Sequence, residues 1–332
     1  MNVKFLKAGT GDSILIQRKT YNVLIDGGND SNHLLREMSE IHSKNEFIDL
    51  LIITHHDDDH IKGIIDFIKS VNDGNYGKDF IKRVFFNSPR KILGIISSPQ
   101  NENLLSYKQS FELEDLLLKL NMKWELCNDE TSQVSFEDLK IDFLSPVAED
   151  LDNYSSNKGV YLSNSSRCDW TSTMSDLEKY IDDENQDTSL PNKCSIVLNV
   201  ECENKKILLT GDVTPDRFEL IISKLLKESN CDIVFFDYIK LPHHGSYRSL
   251  NKNIIQKIRC YNYIISTNSK KHYLPNKRAL LKLLKYSNRD KEKLQFIFNY
   301  DDALTNLKIT EKEKDYYNFK LISNNKDYGV II

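Results

Sequence analysis

The order of elements legible in this sequence predicts an α+β fold in which two sheets carry helices on their outer faces. Two observations point there. Short aliphatic runs bounded by Gly or Asp fill the N-terminal third, and helical and strand-like periods alternate from about residue 207 onward. A third observation concerns the strand ends, where His, Asp and Gly collect in turns while the strands themselves stay apolar.

Strands are expected at residues 3–7, 13–17, 22–26 and 49–53, each aliphatic-rich. Helical periodicity occupies 61–70, a strand lies near 84–86, and leucines at helical spacing predict a helix over 104–120. Strands return at 139–144, 195–200 and 206–210, followed by an amphipathic helix at 216–227 and a strand at 233–241. Helix 251–259, strand 263–267 and helix 278–286 complete the alternation. Residues 148–191 are rich in Ser, Asn and Asp and poor in aliphatics, which predicts a polar acidic insertion able to serve as a lid. The expected organisation is one catalytic domain over residues 1–286, with 287–332 as a C-terminal extension packed on it as an edge element.

At 332 residues, with 39 % hydrophobic and 28 % charged side chains, the chain can bury a large core as a globular protein. No run approaches the roughly 18 apolar residues of a membrane helix, and Met1-Asn2-Val3-Lys4-Phe5 starts a strand rather than a secretory signal. A cytoplasmic location without a membrane partner is therefore expected. The 6 cysteines include no Cys-x-x-Cys pair, which argues against a thiolate zinc ribbon and a dense disulfide framework.

The turn Thr54-His55-His56-Asp57-Asp58-Asp59-His60 follows directly on the apolar run Leu50-Leu51-Ile52-Ile53. Imidazole and carboxylate are ordinary ligands of zinc and of harder divalent ions, and a strand end can aim several at one point. Read as His-x-Asp-x-Asp-His, the set is His55, Asp57, Asp59 and His60. A solvated acidic turn is the plain alternative, but the strand feeding it is too apolar to favour that. Three further segments belong with it. Thr210-Gly211-Asp212 ends an apolar strand with a carboxylate, Pro242-His243-His244-Gly245-Ser246 repeats the device with imidazoles, and Asp26, ahead of Gly27-Gly28, could hold the ligand turn by hydrogen bonds.

Taken in order, Ala8-Gly9-Thr10-Gly11-Asp12-Ser13, Leu24-Ile25-Asp26-Gly27-Gly28, the His-x-Asp-x-Asp-His turn, Leu209-Thr210-Gly211-Asp212 and His243-His244-Gly245-Ser246 resemble the metallo-β-lactamase-fold hydrolases. Among these the pattern, over about residues 1–275, is similar to the soluble domain of the competence protein ComEC. The resemblance implies an αββα sandwich of two mixed sheets with outer helices, and a metal cleft at the sheet edges. It implies two divalent ions, Zn or Mn with Mg as a further choice. His55 and Asp57 would sit on one ion and Asp59 and His60 on the other, with Asp212 bridging. One of His243 and His244 would complete the second site. His243 is favoured, which leaves His244 as a catalytic donor to substrate phosphate beside Asp59 as the group orienting the nucleophile. Asp26 and Asn192 would act behind the ligands, and His56 and Asp58 would be structural. This chain departs from the wider pattern in having Asp57 where a second histidine is usual, and no histidine lies between His60 and His243. Water, substrate or a polar group near 187–192 would take the place of the missing third imidazole. An oxygen-rich ligand set of this kind leans toward Mn or Mg.

The formal net charge of −4 hides a division along the chain. Residues 240–293 hold 14 Lys and Arg against 2 Asp and Glu, whereas 149–187 hold 10 acidic against 3 basic residues. Two solvated faces would explain the split, and so would an electrostatic footprint for a polyanion. On the second view Ser246, Lys270, Lys271 and His272 bind substrate, and Tyr247, Tyr261, Tyr263 and Tyr273 offer rings for bases, with packing as the alternative for Tyr261 and Tyr263. The expected function is a phosphodiesterase or nuclease acting on DNA or another nucleotide polyanion. The acidic insertion suggests a regulated effector whose protein partner moves it, by analogy with bacterial defence systems. The alternatives are a small-molecule lactonase or thioesterase-type hydrolase, which requires an apolar pocket, and a non-catalytic metal-stabilised binding module.

Overall fold

The computed structural model describes residues 1–93, 107–156, 168–182 and 185–332. The first sheet opens as an antiparallel meander, β1 (Asn2–Leu6), β2 (Ile14–Arg18) and β3 (Tyr21–Ile25), and continues in parallel with β4 (Leu50–Ile53) and β5 (Val84–Phe86). The second sheet repeats that plan. An antiparallel meander of β6 (Val134–Phe136), β7 (Leu139–Ser145), β8 (Val197–Cys202) and β9 (Lys205–Leu209) precedes a parallel half. Of the strands that follow, β10 (Val234–Phe235) and β12 (Ile258–Arg259) pair only with each other, while β11 (Tyr238–Lys240), β13 (Asn262–Ile265), β14 (Leu294–Phe298) and β15 (Phe319–Ile322) continue the sheet from β9. The last strand, β16 (Gly329–Ile331), returns to the first sheet and pairs antiparallel with β1.

Strict alternation along these strands creates the layers, because successive side chains leave a strand on opposite faces. Val23, Ile25, Leu50 and Ile52 of the first sheet meet Leu198, Ile207, Leu209 and Ile264 of the second in one core. Their neighbours Leu24, Leu51 and Ile53 face outward onto the helices α1 (Asn32–Ser43) and α2 (Asp58–Asn72). On the far side Leu208, Ile239, Tyr263, Phe296 and Phe298 pack against the helices Pro215–Ser229 and Lys277–Tyr286. The result is an αββα sandwich. Among the described residues no helix is long and apolar enough to cross a membrane.

Several expected elements change shape. The strand expected over 233–241 divides, because Asp237 turns aside to accept the amide of Lys206 at 2.7 Å and separates β10 from β11. The helix expected over 251–259 is shortened to Lys252–Gln256, and its end becomes β12. The leucine-spaced helix runs Lys108–Lys119, and residues 104–106 of its expected span lie outside the described residues. The stretch 148–191 is not an extended loop where it is described. It forms the helices Ala148–Ser156, Met174–Leu177 and Leu190–Lys193, while 157–167 and 183–184 lie outside the described residues. Met174, Leu177 and Ile181 enter the core beside the helix Lys277–Tyr286, and Asp169 caps that helix by accepting from the amides of Lys277 and Arg278, both at 2.9 Å. Residues after Tyr286 add β14 and β15 at the edge of one sheet and β16 at the edge of the other.

The ends of β3 and α2 approach so closely that side chains are excluded between them. Gly27 donates to the carbonyl of His60 and Gly63 to that of Gly28, each at 2.8 Å. A Cβ on Gly27 would lie 2.4 Å from the Ile64 nitrogen, a contact only backbone movement could relieve. Gly27→Ala is expected to destabilise the protein by about 1–3 kcal/mol, the usual cost of forcing extra volume into packed structure. Denaturant unfolding would measure it, and a shift in midpoint without a change in slope is the expected form.

Candidate metal centre

The strand ends that carry the motifs meet at one edge of the sandwich, where β4 delivers the ligand turn, β9 delivers Asp212, and β11 leads into His243 and His244. The turn is fixed from behind by Asp26, which follows β3 and holds a left-handed backbone (φ 57°). Its carboxylate accepts from the Thr54 amide at 2.7 Å, the Thr54 hydroxyl at 2.6 Å and His60 Nδ1 at 2.7 Å.

Four histidines share one arrangement, in which Nδ1 is bonded to an oxygen and Nε2 is left over. His55 Nδ1 meets Thr54 Oγ1 at 3.1 Å, His60 Nδ1 meets Asp26, His243 Nδ1 meets Asp187 Oδ2 at 2.9 Å, and His244 Nδ1 meets the Ser266 carbonyl at 2.9 Å. Such a bond fixes the tautomer and aims the other nitrogen, as metal-binding histidines require. The Nε2 atoms of His55, His60 and His244 converge on Asp212. They lie 3.9 Å from Oδ2, 3.4 Å from Oδ1 and 3.4 Å from Oδ2 respectively. These three nitrogens and Asp212 Oδ1 are buried without a hydrogen-bond partner among the described residues. Buried polar atoms are nearly always satisfied, so four orphans facing one another mark the place of a ligand. The donor set fits divalent ions, and Asp12, His60, Asp212 and His244 each bring a ligand-type atom within 4.8 Å of the others.

Charge follows the same centre. Burial depresses the pKa of His55 well below the imidazole range, and His60 adds to the effect. At His60 and His244 burial acts in the same direction but is outweighed by Asp212, with Asp26 assisting at the former and Asp12 at the latter. His60 is held well above its ordinary value and His244 is raised to about 9. Asp212, despite burial, is held well below the carboxylate range by His244, His60 and His243. The positive charge that Asp212 draws onto these imidazoles is the charge a divalent ion would supply instead. Asp57 lies at the mouth with its side chain 45 % exposed, and lost hydration in the cleft, then Asp59 and Asp212, still raise its carboxyl to about 7.

Of the histidine pair, His244 turns its Nε2 to within 3.6 Å of Asp59 Oδ2 and 3.4 Å of Asp212 Oδ2. His243 is anchored by Asp187, which also accepts from Asn192 Nδ2 at 2.8 Å. Both histidines adopt left-handed backbone (φ 47° and 53°), so the alternation of an extended chain does not apply to them. Ser246 is buried, and its hydroxyl accepts the Arg248 amide at 3.3 Å, capping a short turn. Asp59 carries Thr10 Oγ1 at 3.4 Å, Asp58 accepts from Gln109 Nε2 at 2.7 Å, and His56 packs on Tyr107 with ring centroids 4.9 Å apart. Lys270, Lys271 and His272 are exposed, and Lys271 Nζ is 3.5 Å from Asp58. Two residues beneath the centre, Asp12 and Lys240, carried no role in the sequence reading. Lys240 reads there as the first cation of the basic stretch 240–293, and only its register inward reveals its place.

Residues 6–120 match the family model of the metallo-beta-lactamase superfamily. The chain has the metallo-β-lactamase fold. Among solved structures of this fold, YhfI from Bacillus subtilis aligns over 100 % of this chain and 98 % of its own, at 10 % identity and a TM-score of 0.43. Zn²⁺-bound PqqB from Methylobacterium extorquens aligns over 100 % and 99 %, at 10 % identity and a TM-score of 0.45. No curated protein matches the sequence. In the cleft of this chain Asp12, His60, Asp212 and His244 form a group that could hold a metal ion.

The two histidines of the turn are expected to serve different ions. His243→Ala and His244→Ala should each bind one ion fewer than wild type by elemental analysis, and the double variant two fewer. A His243→Ala protein with full metal content would remove His243 from the ligand set.

Proposed function

We propose that the cleft binds two divalent ions, one between His55, Asp57 and His243 and one between Asp59, His60 and His244, with Asp212 shared, and that the protein hydrolyses phosphodiesters. The carrying observation is the set of four imidazoles with Nδ1 engaged, three of which, His55, His60 and His244, turn Nε2 toward Asp212. When bound, such a pair of ions supplies hydroxide near neutral pH and stabilises the attacking and leaving oxygens of an in-line displacement. The side chains do the rest. Asp59 is 20 % exposed, so its free carboxylate edge can orient the attacking water and take its proton. The loop after β13 supplies Lys270, Lys271 and His272 at the surface beside the ligand turn, which suits an anionic substrate, and Tyr273, 50 % exposed and edge-on to Trp170 at 5.7 Å, offers a ring for a base.

A second reading, hydrolysis of a small ester or lactone, is favoured by where the basic stretch ends up. Lys240, Lys277, Arg278 and Lys282 are all buried, and Lys277 and Lys282 donate to backbone carbonyls, so they form no polyanion track. Of the basic stretch, the loop cations Lys270 and Lys271 stay exposed beside the ligand turn.

Hydrolysis of single- and double-stranded DNA and of bis-p-nitrophenyl phosphate with Mn²⁺, Mg²⁺ or Zn²⁺ tests the proposal. Metal-dependent cleavage is expected, with Asp59→Ala lowering kcat roughly 10²- to 10⁴-fold, as loss of a general base does. The pair Lys270→Glu and Lys271→Glu should raise KM for DNA while leaving the small phosphodiester unaffected. Turnover of neutral lactones with none of any phosphodiester would establish the second reading instead.

A further inference from the structure

Behind the metal centre lies an ion pair that the reaction itself does not call for. Lys240 is fully buried at the end of β11, and its ammonium pairs with the Asp12 carboxylate, donates to the Gly211 carbonyl at 2.9 Å and stands 3.5 Å from Asp212 Oδ1. Asp12 is 1 % exposed and belongs to the turn between β1 and β2. Its other oxygen lies 3.6 Å from His244 Nδ1. That side of the ring faces Ser266, whereas the opposite nitrogen faces Asp59 and Asp212. Asp12 therefore stands behind His244 rather than in front of it, so its closeness to the ligands does not make it one.

A buried ion pair is a poor means of stabilising a fold, since lost hydration offsets the attraction and apolar residues of equal volume often serve as well. The position of this pair gives it another use. We infer that Asp12 and Lys240 are positioning residues of the metal centre, Lys240 holding the shared carboxylate Asp212 and Asp12 backing His244, so that ligands from two different strand ends are set before an ion arrives. Because the pair is neutral as a unit, it adds no net charge to a cleft already holding three acidic ligands. It orders the donors and leaves the electrostatic attraction for a cation intact. This rests on the reading of the cleft as a metal centre, but not on the identity of the substrate.

The test is metal affinity, measured by chelator competition with Zn²⁺ and Mn²⁺ on wild type, Asp12→Asn, Lys240→Gln and the double variant, with thermal unfolding alongside. Loss of partners behind metal ligands typically costs 10- to 100-fold in affinity, and Asp12→Asn is expected to show that loss. The double variant restores neutrality and should bind no more weakly than Asp12→Asn, since the two residues act as one unit. Affinities within twofold of wild type in Asp12→Asn, whatever its melting temperature, would overturn the inference and leave the pair a structural element. Asp12→Asn preserves volume and an acceptor for the lysine, so it decides the matter even if the Lys240 variants do not fold. Wild-type protein that takes up neither ion would instead defeat the metal-centre reading itself.

Discussion

Asp26 joins the parts of this molecule that have to agree. Its carboxylate receives the backbone and hydroxyl of Thr54 and the imidazole of His60, so one side chain at the end of β3 fixes both the exit of β4 and the first turn of α2. The left-handed backbone at Asp26 is unusual for a non-glycine residue, and the three hydrogen bonds over-determine it. Gly27 then allows α2 to press against the strand end, and the ligand turn has no freedom left. Without that clamp the donors from β9 and β11 would have nothing fixed to meet.

The second constraint is charge. The cleft gathers carboxylates and imidazoles that would be costly to bury singly, and the protein manages this by mutual arrangement: Asp212 among three imidazoles, Asp12 against Lys240, His243 against Asp187. The same economy governs the outer layer, where Lys277 and Lys282 satisfy carbonyls at the ends of neighbouring segments. A linear count of cations thus overstates what a ligand would meet at the surface.

The strand ends were legible because apolar runs that stop at Asp, Gly or His announce both the sheet and its functional edge. The αββα layering followed from alternation and element order. What escaped the sequence depends on contacts distant along the chain. The break at Asp237 arises from the amide of Lys206, and the helix of Met174 and Leu177 hides among Ser and Asp because its apolar face is narrow. The directions in which His243 and His244 leave the chain turn on two consecutive left-handed residues, which no spacing rule reveals. Lys240 and Asp12 escaped for the opposite reason: one reads as the start of a basic stretch and the other as a turn residue, and only their meeting gives either a meaning.

The pairing of β16 with β1 places the closing strand of the first sheet at the opposite end of the sequence from the strand it covers. Until β16 has been made, the edge of β1 opposite β2 has no strand to cover it. An uncovered strand edge is a template for unwanted pairing. The first sheet therefore keeps an open seam until β16 arrives, and that short strand acts as the selvedge that stops the sheet from joining its neighbours.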